Sequence, residues 1–213
     1  MPHDLGLILS GLPWTVLVTV AALAIGAVLG FPVMMMRRAR LPLLRVVATA
    51  AISFVRSIPP IVWLFIIFFG LGSGLLEVSP LTATFIGLGV ISAANMAEIY
   101  RGGLIAIQHT QWEAAQALNL STRHTFRDVI APQMFRVSLP SIATYAVGLL
   151  KDSAIASTIG VPELTYQASR LAKLNFHGLE MFGIAGLLYI LLSLPIAWVS
   201  READMRLRAK VAR

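Results

Sequence analysis

Five long apolar blocks, separated by polar segments, constrain the fold of this chain more than any other feature. They cover residues about 12–36, 57–76, 81–100, 139–159 and 181–200. Each is close to the ~20 residues that a helix needs to cross the hydrocarbon core of a bilayer. Lipid offers no partner for backbone N–H and C=O groups, so such blocks are expected to be helical. The pattern predicts an all-α membrane protein with five transmembrane helices in a single domain, residues 1–213.

Composition supports a membrane protein and excludes several other classes. Only 13% of the residues are charged, whereas a typical soluble domain has about 25%. The chain has no cysteine, which excludes disulfide scaffolds, thiolate metal sites and cysteine nucleophiles. The net charge of +7 would suit nucleic-acid binding. The basic residues flank apolar blocks rather than cover one soluble face, however, so we expect no nucleic-acid partner.

The basic residues also predict an orientation. Fourteen of the 17 lysines and arginines lie between blocks 1 and 2, between blocks 3 and 4, or after block 5. These segments share one side of an odd-numbered bundle. The positive-inside rule then places the N-terminus outside and the C-terminus in the cytoplasm. No basic segment precedes block 1, so we expect it to remain as a span and not to be removed as a signal peptide.

Local chemistry predicts two helix starts. Ser57 is expected to cap the helix of block 2, with Pro59 in its first turn, and Pro140 to occupy the first turn of the block 4 helix. The apolar stretch at residues 41–55 contains Arg45. It fits either a helix lying at the membrane interface or a cytoplasmic extension of the block 2 helix.

The polar segment at residues about 101–138 is predicted to be a cytoplasmic loop with two short helices. Thr110 and Glu113 fit a capping box at the start of the first helix. Asn119 suits the left-handed residue that ends it. A second helix is expected over residues 122–130, ending at Pro132. Because isolated helices of two turns are marginal in water, we expect a partner to hold the first one.

This loop resembles the Glu-Ala-Ala (EAA) motif of the permease subunits of bacterial ABC importers. That pattern is Glu-Ala-Ala, three residues, Gly, nine residues, then Ile-x-Leu-Pro. The spacing is kept here, with Asn, Val and Ala in place of Gly, Ile and Leu. The matching positions are Glu113, Ala114, Ala115, Asn119, Val129, Ala131 and Pro132. Asn is the next-best residue after Gly for a left-handed conformation, whereas Ala131 gives up an apolar contact.

Three further segments are similar to the polar amino acid importers of this family, in the same order along the chain. They are Phe-Val-Arg-Ser-Ile-Pro-Pro at 54–60, Ala-Glu-Ile-Tyr-Arg-Gly-Gly at 97–103, and the run from Leu150 to Leu164 that contains Lys-Asp-Ser and Ile-Gly-Val-Pro-Glu. The resemblance covers roughly residues 12–200. It implies a type I ABC importer permease in a bacterial inner membrane that moves amino acids into the cell.

The resemblance also implies partners. These are a dimer of ATP-binding cassette ATPases, a second permease subunit that is identical or related, and an extracytoplasmic amino-acid-binding protein. The helix that docks in the ATPase would be formed by Trp112, Glu113, Ala114 and Ala115 and ended by Asn119, with Trp112 as a candidate anchor. The chain has no Gly-x4-Gly-Lys-Ser/Thr phosphate loop. ATP and Mg are therefore expected on the partner ATPase, with no cofactor and no enzyme activity in this chain.

Polar residues inside the blocks are the candidates for a substrate pathway, because charges in a bilayer core are costly. They are Asn95, Glu98, Asp152 and Ser153. Each has a structural alternative: an ion pair of Glu98 with Arg101 at i,i+3, an interhelical hydrogen bond of Asn95, or a pairing or helix-capping role for Asp152. His109 and His124 have no carboxylate or cysteine at ligand spacing, so no metal site is expected.

Two other functions fit a polytopic membrane protein. An ion-coupled secondary carrier of small polar solutes could use Glu98 and Asp152. The sequence shows no inverted repeat, which such carriers commonly have, and the EAA-like loop would have no role. A membrane scaffold would leave the polar residues of the spans unexplained. The ATP-driven importer therefore explains more of the sequence than either alternative.

Overall fold

A computed structural model describes residues 2–71 and 77–211, and these residues form helices joined by short connections. The α-helices are α1 Pro2–Leu9, α2 Leu12–Arg37, α3 Pro42–Ser57, α4 Pro60–Phe65, α5 Pro80–Ile105, α6 His109–Ala117, α7 Thr122–His124, α8 Ala131–Asp152, α9 Leu164–Asn175 and α10 Gly178–Val211. Wider π-helical turns extend α4 over Ile66–Leu71 and join α7 to α8 over Thr125–Ile130, and a 3-10 helix follows α8 over Ser153–Ile159.

Helices α2 and α5 form the centre of the packing. Gly26 and Gly30 of α2 face α5 so closely that an added Cβ would lie 2.4 Å from the Cβ of Ser92 and 2.7 Å from that of Met96. Small residues at this spacing let two helices approach closely in lipid. The buried side chains around this contact include Val18 of α2, Leu88 of α5 and Leu64 of α4, all with 0% exposure. This contact fixes α5 as the buried scaffold of the molecule.

Long apolar helices account for part of the predicted membrane crossing. Among the described residues, three helical segments are long and apolar enough to cross a bilayer: Asp4–Arg37, Pro80–Ile105 and Gly178–Glu202. A fourth would need α3 and α4 to count as one span, although they are bent by 98° from each other. The first, third and fifth apolar blocks therefore form the long helices that the sequence predicts.

The second apolar block has a different structure from the expected one. Its helix begins at Pro60, not at Ser57. The hydroxyl of Ser57 donates to the carbonyl of Ser53 at 2.7 Å inside α3 and caps nothing. A proline disfavours helical geometry in the residue before it, so Pro59 and Pro60 separate α3 from α4. The stretch at 41–55 is therefore a helix of its own, and a straight extension of the block 2 helix is wrong. Residues 72–76 of this block lie outside the described residues.

The fourth apolar block is also placed differently. The predicted second loop helix does not end at Pro132 but continues into α8, which begins at Ala131. Pro132 lies just after the π-helical turn Thr125–Ile130, at the point where the α-helical geometry of α8 begins. Pro140 is therefore inside α8 and not at its start. The α-helix ends at Asp152, and the last seven residues of the block, Ser153–Ile159, form a 3-10 helix.

Candidate functional site

A polar cavity of about 820 Å³ lies between α5 and α8. On α5 it is lined by Asn95, Glu98 and Gly102, which recur at i, i+3 and i+7 and so share one helix face. On α8 the matching face carries Ser138, Ser141, Thr144 and Tyr145. Arg56, from the end of α3, completes the polar lining. A cavity of this volume can hold a small polar molecule.

Glu98 is the charged centre of this cavity, and two arginines hold its carboxylate. Arg101 donates from Nε and Nη2 to Oε2 of Glu98 at 3.0 and 2.8 Å. Arg37, the last residue of α2, contacts the other oxygen, Oε1. The predicted i,i+3 ion pair of Glu98 with Arg101 is confirmed. The contact with Arg37 joins the C-terminal end of α2 to α5.

Neutral polar groups form the wall next to this cluster. The hydroxyls of Ser92 on α5 and Tyr145 on α8 are 2.9 Å apart and share a hydrogen bond. The side-chain amide of Asn95 donates to the carbonyl of Ile91 on its own helix at 2.9 Å. Near the C-terminal end of α5, the helices α5 and α8 are so close that a Cβ on Gly103 would meet Oγ of Ser138 at 2.1 Å. The two helices therefore converge where the charged cluster lies.

The four pathway candidates do not form one site. Asn95 and Glu98 line the cavity, whereas Asp152 and Ser153 do not. Asp152 lies seven residues after Tyr145, about 10 Å further along the axis of α8 at 1.5 Å per residue. Ser153 is fully buried, and its hydroxyl donates to the carbonyl of Leu150 at 2.7 Å.

Sequence reasoning missed the contribution of α8. Ser138, Ser141 and Tyr145 recur at i, i+3 and i+7 at the start of the fourth apolar block. This spacing puts them on one helix face and could have marked a polar wall. Arg37 could not have been found in this way, because its contact with Glu98 joins residues that are far apart in the chain.

Helix α6 contains the Glu-Ala-Ala residues and lies on the surface next to the core. Ala115 is only 2% exposed, whereas Glu113 and Ala114 face outward. The predicted capping box is wrong: α6 begins at His109, and its N-cap residue Gln108 makes no side-chain cap. Glu113 instead pairs with His109 at 3.0 Å. Trp112 is half-buried against the core, with its ring 5.9 Å below the guanidinium of Arg38.

The end of α6 has the predicted geometry. Asn119 has φ 53°, in the left-handed region. Its N–H donates to the carbonyl of Gln116 at 2.8 Å, and the N–H of Leu120 donates to that of Ala115 at 3.1 Å. These two bonds form a Schellman motif. The motif gives α6 a defined end.

Arg101 connects the polar cavity to α6. It lines that cavity and also a second one, of about 500 Å³, whose other walls include His109, Trp112 and Gln116 of α6. The ion pair of Glu98 with Arg101 therefore separates the interior of the bundle from the surface helix. Groups of three or more metal-ligating residues are not found in the described part of the chain.

A known family matches almost the whole of this architecture. The family described as "Binding-protein-dependent transport system inner membrane component" matches residues 22–209. The chain belongs to this family. It is therefore a membrane transport component.

Relatives and solved structures agree with this family. The probable amino-acid ABC transporter permease protein YckA of Bacillus subtilis (strain 168) is 37% identical over 182 residues, which cover 85% of this chain and 80% of YckA. The glutamine transport system permease protein GlnP of Escherichia coli (strain K12) is 30% identical, covering 95% and 93%.

Among solved structures, an amino acid ABC transporter crystallised with histidines matches with a TM-score of 0.88 and 30% identity over 94% of each chain. The MetNI methionine ABC transporter, in an inward-facing conformation, matches with a TM-score of 0.77 at 20% identity over 95% of each chain. The second likeness concerns the fold alone.

Proposed function

We propose that this chain is the transmembrane permease subunit of an ATP-driven importer of amino acids. The names of YckA and GlnP and the structure crystallised with histidines support the substrate class. The observation that carries the proposal is the Glu98–Arg101 pair, because it lies between a cavity of substrate size and the exposed helix α6. A movement of α6 would reach the cavity through this pair.

The proposed membrane arrangement has five spans in a single domain. These are α2, the segment that begins with α4, α5, α8 with its 3-10 extension, and α10. The N-terminus is outside and the C-terminus in the cytoplasm of a bacterial inner membrane. The distribution of basic residues supports this orientation: Arg37, Arg101 and Arg136 all lie at or near the ends of spans that would face the cytoplasm.

Two observations support the proposed partners: the sequence has no phosphate loop, and α6 exposes Glu113 and Ala114. A dimer of ATP-binding cassette ATPases binds ATP and Mg, and grips α6 through Glu113 and Ala114. A second permease subunit, identical or related, completes the pathway. An extracytoplasmic binding protein delivers the substrate. Helix α6 has only nine residues and one buried side chain, Ala115, so a partner on its outer face would stabilise it.

In the proposed mechanism, the cavity offers groups that suit a zwitterion. The Arg56 guanidinium can pair with a carboxylate, and Tyr145, Ser141 and Thr144 can accept from an ammonium group or donate to a carboxylate. Glu98 is already neutralised by Arg37 and Arg101, so its role is to hold the inner end of the pathway. Asp152 is proposed as a contact further along the pathway. ATP-driven closure of the partner would move α6 and, through Arg101, separate α5 from α8.

Uptake into vesicles tests the function. We would reconstitute the chain with its ATPase and binding protein and measure entry of labelled amino acids with internal ATP. Uptake is expected with ATP and is expected to be absent with only an ion gradient. Uptake driven by an ion gradient without ATP would instead favour a secondary carrier and overturn the proposal.

Crosslinking tests the orientation and the partner. Since the chain has no cysteine, Ala114→Cys introduces a single thiol on the exposed face of α6. We expect it to react only from the cytoplasmic side and to crosslink to the ATPase. Leu179→Cys, 92% exposed in the first turn of α10, is the matched control and should react only from outside. Labelling of both residues from one side would contradict the arrangement.

A further inference from the structure

A further cavity, lined by arginines, lies next to the C-terminal end of α2. Its volume of about 780 Å³ falls in the range of about 300–1,000 Å³ typical of small-ligand sites. It shares no lining residue with the polar cavity between α5 and α8. Its cationic residues come from the connection after α2 and from the segment after α6: Arg38, Arg40, Arg123 and Arg127. The two sets are brought together only by folding.

Among the residues that line this cavity in the described part of the chain, only cations carry charge. The ion pairs found among the described residues involve none of these four arginines. No carboxylate lines the cavity in the part of the chain that the structure describes. The nearest acidic residue in sequence, Asp128, is paired with His124 at 3.0 Å. Four cations around one space repel each other, so a bound anion would stabilise the arrangement.

The identity of these cations and of their neighbours indicates the ligand. The guanidinium of an arginine can donate two parallel hydrogen bonds to one phosphate group. The ammonium of a lysine cannot make this paired contact. All four cations are arginines. The remaining wall is apolar and aromatic, formed chiefly by Met35, Trp112 and Phe126. A ligand that satisfies both parts carries a phosphate next to a hydrocarbon chain.

We infer that this cavity binds the phosphate head group of an anionic phospholipid from the cytoplasmic leaflet. Met35 lies in the last turn of α2, and Arg38 and Arg40 follow directly after that helix. With the proposed orientation, on which this step depends, the cavity lies at the level of the inner head groups, where anionic lipids collect. Met35, 40% exposed, then faces the upper part of an acyl chain.

An acidic protein surface fits the cavity less well. A stable protein interface buries about 800 Å² on each partner, whereas this site is a single concave space. Its apolar wall also includes Met35, which belongs to a membrane-spanning helix. Because Trp112 of α6 lines the same cavity, the lipid would connect the inner end of α2 to α6 and to the segment after it.

Lipid binding to the purified full-length chain tests this inference directly. We would remove bound lipid in detergent, add phosphatidylglycerol or phosphatidylcholine, and count adducts by native mass spectrometry. The test variant is Arg123→Gln with Arg127→Gln. The matched control, Arg45→Gln with Arg136→Gln, removes the same charge from exposed residues outside the cavity. Arg40→Gln, in the connection between α2 and α3, serves if the double variant does not fold.

The expected result is one preferred phosphatidylglycerol per chain, bound about tenfold or more tightly than phosphatidylcholine. The test variant should lose about thirtyfold in affinity, as removal of two surface cations predicts, and the control less than about threefold. Equal binding of the two lipids, or an equal loss in both variants, would overturn the inference. So would full displacement by inorganic phosphate, which would indicate a free anion.

A further outcome separates this inference from the proposed function. If the test variant bound phosphatidylglycerol normally but no longer assembled with the ATPase, the cavity would be a protein-docking surface and the inference would be wrong. Lipid binding is measured without ATP or substrate. Failure of uptake with the wild-type chain would therefore not change the lipid-binding result. Likewise, failure of lipid binding would not change the result of the uptake experiment.

Discussion

Arg101 places both Nε and Nη2 on a single carboxylate oxygen of Glu98, at 3.0 and 2.8 Å. The two residues are one helical turn apart on α5, and both line the polar cavity. Arg37 approaches the other carboxylate oxygen from α2. Glu98 therefore connects α2 to α5 through its contact with Arg37. It also holds Arg101, which lines both the polar cavity and the space next to α6.

A double-mutant cycle on Glu98 and Arg101 should show strong coupling. Hydrogen bonds to charged groups contribute about 1.5–3 kcal/mol, so each of Glu98→Gln and Arg101→Gln should lower the free energy of unfolding by about that much. The double variant should lose less than the sum, by about 1 kcal/mol or more. Denaturation of the purified chain in detergent measures the cycle.

The exposed pair of His109 with Glu113 provides the control for this cycle. Its side chains are 85% and 62% exposed, so solvent screens the interaction and its coupling should be small. Coupling of similar size in both cycles would show that the Glu98 cluster contributes no more than a surface ion pair.

Tyr145→Phe should raise the KM for uptake, although it should lower the free energy of unfolding only slightly. It removes the hydroxyl that shares a hydrogen bond with Ser92 in the cavity wall. Tyr100→Phe removes a hydroxyl that donates to the carbonyl of Ala27 at 3.2 Å, away from the cavity. Each change should lower the free energy of unfolding by about 0.5–1.5 kcal/mol. Only Tyr145→Phe should raise the KM for uptake, and an equal change of KM in both variants would count against a pathway role for Tyr145.

Gly26→Ala should destabilise the packing of α2 against α5. The new Cβ would lie 2.4 Å from the Cβ of Ser92, and overpacking of this kind costs about 1–3 kcal/mol. Gly148→Ala on α8 is the control, because nothing lies within 4 Å of its added Cβ. That change should stabilise the chain by about 0.5–1 kcal/mol, since alanine favours a helix interior. Thermal melting of the two variants should give shifts of opposite sign.

Asn119 should tolerate glycine better than alanine. Its φ of 53° is unfavourable for alanine, by roughly 1–2 kcal/mol, and costs glycine nothing. Asn119→Ala should therefore loosen the end of α6, which faster hydrogen exchange over residues 115–120 would reveal, whereas Asn119→Gly should not. In the assembled importer, only the alanine variant should reduce uptake per ATP hydrolysed. Identical exchange rates in the two variants would show that the left-handed residue does not fix the helix end.

Glu163, between α8 and α9, should make stability depend on pH. The side chain is fully buried, and burial raises the pKa of Glu163 above its usual 4.5, although hydrogen bonds from the hydroxyl of Tyr189 and from backbone N–H groups partly oppose this. A raised pKa means that the folded chain favours the protonated acid. The corresponding stability is complete below the unfolded-state pKa and is lost as the pH rises through the folded-state value.

Melting temperatures measured across this pH range test the effect. The wild-type chain should lose stability as the pH rises above about 4.5, and Glu163→Gln should lose less. Glu180→Gln, an exposed residue in the first turn of α10, should keep the slope of the wild-type chain. A slope unchanged by Glu163→Gln would assign the pH dependence to another group.

Several parts of the structure follow from short-range patterns in the sequence. The first, third and fifth apolar blocks form the long helices, because lipid requires every backbone group to be bonded within its own segment. The left-handed Asn119 and the i,i+3 pair of Glu98 with Arg101 were also predictable, since both depend on residues close together in the chain. The Glu-Ala-Ala spacing and its companion segments indicate the family, because the order and spacing of motifs can be read along the chain.

Tertiary structure decided the rest. The prolines at 59 and 60 interrupt the helix locally, but the 98° angle between α3 and α4 depends on what each segment packs against. The same holds for the convergence of α5 with α8 at Gly103. The contacts of Arg37 with Glu98 and of Tyr189 with Glu163 join residues that are far apart in sequence. Such pairs form only once the helices are packed. The sequence alone therefore determined the helical segments and the family, and the packed helices determined which polar side chains share a cavity.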